Sequence, residues 1–160
     1  MKVNDPRLGI VEFDEKRKQV IVFDSMIKCM LEHQEQDSIK EIRETISPVS
    51  WIKEYCTMRF GLYRQAGHTE MINWFAETYS NIGVIVYKNT MFRNYKNIDV
   101  KMNYQTFSET ISEIISDTTC QREIEYLFVD TASLFSKTKE DELYNLCTSL
   151  PNLKLIVFME

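Results

Sequence analysis

The sequence predicts a three-layer α/β domain, a mostly parallel sheet flanked by helices, and three observations lead to that class. Short unbroken apolar runs, Val84-Ile85-Val86 and Tyr126-Leu127-Phe128-Val129 among them, have the character of strands buried on both faces. Between such runs lie stretches whose apolar residues recur every three or four positions, as on one face of a helix. From Thr57 onward the two kinds alternate, which is the order that builds right-handed β-α-β crossovers. A length of 160 residues suits one domain with a single core, read here as a helical N-terminal extension over 1–56 and an α/β core over 57–160.

In the extension, Val20, Phe23, Ile27, Met30 and Leu31 recur at helical steps, although Val20-Ile21-Val22-Phe23 also fits a strand. A second short helix carries Ile39, Ile42 and Ile46 on one face. Ser47 as N-cap, with Pro48 at the first helical position, starts a helix through Trp51 and Tyr55. The core opens with a strand from Thr57 to Tyr63. A helix beginning at Thr69 then presents Met71, Ile72, Phe75, Ala76 and Tyr79, and Gly83 to Tyr87 is the next strand. A brief helix around Met91 to Tyr95 leads to a strand at Ile98 to Met102, and Phe107, Ile111, Ile114 and Ile115 mark the following helix. Glu125 to Val129 is a strand that ends on Asp130. Thr138-Lys139-Glu140-Asp141 reads as a capping box for a helix bearing Leu143, Leu146 and Leu150, which Pro151 stops before the last strand, Leu153 to Phe158.

Composition excludes several classes. With 44% hydrophobic and 27% charged residues the chain is not of the disordered kind, and a net charge of -5 argues against obligate, sequence-independent binding of nucleic acid. Lys88, Arg93, Lys96 and Lys101 do cluster with Tyr87, Phe92, Tyr95 and Tyr104, a mix that holds a strand by charge and stacking but reads first as a solvated face. Cys29, Cys56, Cys120 and Cys147 are far apart and form no C-x-x-C pair, so they read as small buried residues of a reducing compartment. Met1 to Gly9 is polar, unlike a signal peptide, and no apolar run approaches a membrane span, so the expectation is a cytoplasmic protein with no membrane partner.

The chemistry concentrates where strands end. Arg64-Gln65-Ala66-Gly67-His68-Thr69 lies between a strand and a helix and matches, imperfectly, the phosphate-cradling pattern G-x-x-x-x-G-K-[ST]. Gly67 and Thr69 hold the second glycine and the hydroxyl; His68 replaces the lysine and Leu62 the first glycine, with Gly61 one residue too far upstream. Free N–H groups and the dipole at a helix N-terminus favour an anion there. Asp130, after a buried strand, can hold Mg²⁺ together with Thr69. The plainer alternatives are that Thr69 is an N-cap, His68 an idle turn residue and Asp130 an ordinary strand-end residue.

The succession of Arg64-Gln65-Ala66-Gly67-His68-Thr69, Val84-Ile85-Val86-Tyr87, Tyr104-Gln105-Thr106-Phe107, Tyr126-Leu127-Phe128-Val129-Asp130 and Leu155-Ile156-Val157-Phe158 resembles the first RecA-like lobe of superfamily 2 helicases and of phage terminase large subunits. The likeness runs from about Thr57 to Phe158. It implies a degenerate P-loop domain that binds ATP or GTP with Mg²⁺, with Arg64 standing in for the absent lysine, as an upstream basic residue does in some terminases. It also implies a loss. The family places a catalytic glutamate after the aspartate, whereas this chain has Thr131, which cannot orient water as a base; Glu140 and Asp141 are nearby acids that nothing in the sequence places at the site. With one lobe and no facing arginine finger, the chain is not expected to act as a motor by itself. Two readings follow: a nucleotide-binding protein with little or no ATPase activity, derived from a DNA-handling ATPase of viral or other origin, or a non-enzymatic interaction or regulatory protein that kept the fold and lost the ligand.

Overall fold

The computed structural model describes residues 2–5, 9–12, 15–61, 67–117, 119, 122–130 and 132–160, with side chains from Val20 onward. Its first elements are β1 (Lys2–Asp5) and β2 (Gly9–Glu12), an antiparallel ribbon that the purely helical reading of residues 1–56 does not contain. Three helices follow: α1 (Glu15–Gln34), α2 (Asp37–Thr45) and α3 (Pro48–Tyr55). The ambiguous run Val20 to Phe23 is helical because its burial follows helical spacing: Phe23 and Ile27 are buried, while Ile21 and Val22 face outward. Ser47 caps α3 by accepting from the Ser50 backbone N–H, with Pro48 at the first helical position.

Five parallel strands make the sheet: β3 (Thr57–Phe60), β4 (Ile82–Val86), β5 (Val100–Asn103), β6 (Tyr126–Asp130) and β7 (Leu155–Met159), in the spatial order β3-β7-β6-β4-β5. Helices α4 (His68–Thr78), α5 (Phe107–Ser116) and α6 (Lys137–Cys147) complete the crossovers, and a 3₁₀ turn at Asn89–Asn94 joins β4 to β5. Along β6 the side chains alternate between two cores. Tyr126 and Phe128 join Phe23, Ile27, Ile72 and Phe75 of α1 and α4, whereas Leu127 and Val129 join Trp51, Phe107, Ile111 and Leu143 of α3, α5 and α6. The N-terminal helices therefore supply part of each outer layer. The result is an α/β fold with an all-parallel sheet and helices on both sides, compatible with a RecA-like fold.

Direction of travel places the functional edge. From β3 the chain crosses on the α4 face, past β7 and β6, to β4, and steps on to β5; it returns to β6 and then β7 on the α5–α6 face. Moves in opposite directions on opposite faces are what a single crossover hand requires. The chain thus leaves β4 one way and β6 the other, so the crevice beyond their carboxyl ends is the topological switch point, the usual ligand position in open α/β sheets.

Two helix starts differ from expectation. The N-cap of α6 is Ser136, whose hydroxyl accepts from the Lys139 N–H at 3.2 Å, so Thr138 to Asp141 is first-turn sequence and no capping box. Ser136 has the extended backbone an N-cap needs, and Thr138 is already inside the helix. Helix α4 is capped by Gly67 and begins at His68, one residue before Thr69.

Candidate functional site

Asp130 is the last residue of β6 and is only 5% exposed, so its carboxylate needs partners. The Tyr95 hydroxyl donates to Oδ2, and His68 Nδ1 lies 3.3 Å from Oδ1. His68 comes from the first turn of α4, which runs across the same face as β6, and Tyr95 from the segment after β4. The phosphate-loop candidate and the carboxylate candidate therefore meet at the switch point.

Gly67 makes the entry to α4. Its φ of +79° is left-handed, a conformation glycine adopts at little cost and other residues rarely do. A Cβ placed there would also come within 3.3 Å of Glu70 Oε2. Gly67 itself supplies no capping side chain, and the Glu70 carboxylate of the first turn lies close beside it. Among the described residues, His68 Nε2 is buried without a hydrogen-bond partner. When Nδ1–H points to Asp130, Nε2 carries the free lone pair.

Tyr95 is 2% exposed and rigidly placed. From β5, Lys101 Nζ donates to the carbonyls of Phe92 and Tyr95 at 3.1 and 2.9 Å. From α4, Asn73 donates to the Asn94 carbonyl at 2.9 Å and accepts from the Lys96 N–H at 2.8 Å. Burial, then the Asp130 charge and the hydrogen bond to it, push the phenol well above its ordinary pKa, while a hydrogen bond from Thr69 works against the rise. The phenol accordingly stays protonated and acts as the donor to Asp130.

Gly67, His68, Thr69 and Asp130 thus converge. Arg64, Gln65 and Ala66, the rest of the expected nucleotide-binding loop, lie outside the described residues, as does Thr131. Glu140 and Asp141 are occupied elsewhere: Glu140 pairs with Arg59, and Asp141 Oδ1 lies 3.1 Å from Lys53 Nζ and 3.3 Å from Lys137 Nζ. A Mg²⁺ held by Thr69 and Asp130 does not fit the donor set, because the Tyr95 hydroxyl and His68 Nδ1 already face the two carboxylate oxygens. Among the described residues no group of three or more His, Cys, Asp or Glu side chains is arranged to hold a metal.

The basic-aromatic run divides in two. Tyr95 is buried and Lys101, though exposed, ties its segment to β5, whereas Lys88, Arg93 and Lys96 are exposed and their side chains make no such tie among the described residues. Lys88 Nζ lies 5.8 Å from the Tyr87 ring centroid, and Tyr87, Lys88, Asn89, Asn103, Tyr104 and Gln105 line a groove of about 380 Å³ beyond β4 and β5. Tyr95 is the site residue that sequence reasoning assigned elsewhere. Its only signal is an aromatic in a short polar segment after a buried strand, which does not reveal the direction of its ring. Compared with known protein families, curated proteins and solved structures, the chain matches none.

Proposed function

We propose that this protein binds the phosphates of a nucleotide at the carboxyl edge of its sheet and hydrolyses it negligibly. The observation that carries the reading is the meeting of the glycine-capped start of α4 with Asp130, through His68, at the switch point. A helix N-terminus attracts anions, and His68 Nε2, buried and without a partner among the described residues, adds a polar group beside it. The neighbouring groove, with Tyr87 and Tyr104 rings 5.9 Å apart and Lys88 at its rim, offers apolar surface for a base or sugar. ATP and GTP are the ligands to test first. Weak hydrolysis follows from the engagement of Asp130, Glu140 and Asp141 with other protein groups, which leaves none of them free to orient water.

Thermal unfolding with ATP, GTP and ADP, each with and without Mg²⁺, tests the reading. A ligand at about fifty times its Kd stabilises the native state by about 2.3 kcal/mol, or roughly 5–9 °C in a chain of this size. Thr69→Ala and His68→Ala should reduce the shift. Absence of any shift at millimolar nucleotide would favour the competing class, a protein that acts through its surface on a macromolecular partner.

A further inference from the structure

We propose that Tyr95 takes the place of a divalent cation in this site, excluding metal from Asp130 and making phosphate binding independent of Mg²⁺. The part concerning ligand binding rests on the nucleotide reading above; the exclusion of metal stands without it.

The argument is one of position. A cation bridging the hydroxyl of Thr69 and the carboxylate of Asp130 would sit between them, as hard oxygen ligands require. The Tyr95 phenol holds the Asp130 side of that place by donating to Oδ2. His68 faces the other carboxylate oxygen. The phenol is not a loose side chain that swings aside when a cation arrives. The segment around it is tied to β5 by Lys101, which holds the Phe92 and Tyr95 carbonyls, and to α4 by Asn73, which holds the Asn94 carbonyl and the Lys96 N–H, and the ring itself is buried. Swinging the ring aside would leave a cavity in the core that it joins. The energetic exchange is also balanced. A buried carboxylate at a strand end needs compensation, which an O–H donor and an imidazole provide here in place of an ion. A phosphate arriving without its metal brings more negative charge, which meets the positive end of the α4 dipole and His68 on one side and the Glu70 carboxylate of the first turn on the other.

The test uses Mn²⁺ alone, then ATP with excess EDTA or with Mg²⁺, on the wild-type chain, Tyr95→Phe, Tyr95→Ala and each of these combined with Asp130→Asn. Mn²⁺ binding is read by electron paramagnetic resonance and ATP binding by calorimetry. Wild type should bind no Mn²⁺ below about 10 mM, and Tyr95→Ala should gain a site at least about tenfold tighter that Asp130→Asn abolishes. Tyr95→Phe, which removes only the hydroxyl and keeps the ring in the core, should gain part of that site. Wild-type affinity for ATP should change less than about twofold between EDTA and Mg²⁺, and should become Mg²⁺-dependent in the variants. Submillimolar Mn²⁺ binding by wild type that Asp130→Asn removes would overturn the proposal. So would failure of both folded Tyr95 variants to gain a site, or a tenfold loss of ATP affinity in EDTA. If no form binds ATP, the nucleotide reading fails by itself, and the Mn²⁺ series still decides whether Tyr95 excludes the cation.

Discussion

Replacing Phe23 by alanine tests whether the N-terminal helix is part of the domain or an appendage. Phe23 projects from α1 with no exposed surface and meets three rings at once: Phe60 of β3 at 5.1 Å, Phe128 of β6 at 6.1 Å and Phe75 of α4 at 6.3 Å between centroids. Truncating a fully buried phenylalanine costs about 3–5 kcal/mol through lost transfer energy and the cavity left behind. Loss of edge-to-face contacts pushes the value toward the upper end. Since each kcal/mol moves the midpoint of a chain this long by about 2–4 °C, Tm should fall by roughly 6–20 °C. Ile21→Ala on the same helix is the control, because Ile21 is 50% exposed and its loss should cost less than about 0.5 kcal/mol. Urea and thermal unfolding followed by circular dichroism measure both. A Phe23→Ala cost below about 1 kcal/mol with an unchanged transition would refute the placement of α1 in the core.

Gly67→Ala should cost about 1–2 kcal/mol, read by urea denaturation, because alanine at φ +79° is strained, and it should also weaken ligand binding. Ser136→Ala should remove the cap of α6 and cost about 1 kcal/mol in the same assay. Burial pushes the Cys56 thiol from its ordinary 9.0 up to about 11 and raises Cys147 as well, so between those values the unfolded chain has lost protons that the folded chain keeps. Fewer protons on the unfolded state means stability that is complete below about pH 9 and falls as pH rises toward 11; urea midpoints measured from pH 8 to 11 should show the decline. At pH 8 a thiol reagent should modify exposed Cys29 quickly and Cys56 and Cys147 only on unfolding.

The strands were legible because a strand buried on both faces leaves an unbroken apolar run, as in Val84 to Val86 and Leu127 to Val129, and few other elements of that length do. Helix starts were less so. The cap of α6 is Ser136, two residues upstream of Thr138, and which hydroxyl turns back on the helix depends on backbone geometry that composition does not encode. Val20 to Phe23 was ambiguous for a similar reason: four β-prone residues become helical only because Phe23 and Ile27 have a core to enter. In the site, Gly67, His68, Thr69 and Asp130 were readable from their positions at element ends. Tyr95 was not, since its role arises from the Lys101 and Asn73 ties that fold the segment after β4 back over the sheet. Nor were the ion pairs of Glu140 and Asp141, which join residues 81 and 88 positions apart.

Amide chemical-shift mapping of the ¹⁵N-labelled protein during titration with ATP in EDTA addresses the central claim directly. Shifts should concentrate at Gly67 to Glu70, Tyr95 and Asp130, at the carboxyl edge, and spare the notch at the amino edge lined by Arg43, Trp51 and Pro151. Saturable shifts centred on that notch, or none at Gly67 to Glu70 up to millimolar ATP, would contradict the account.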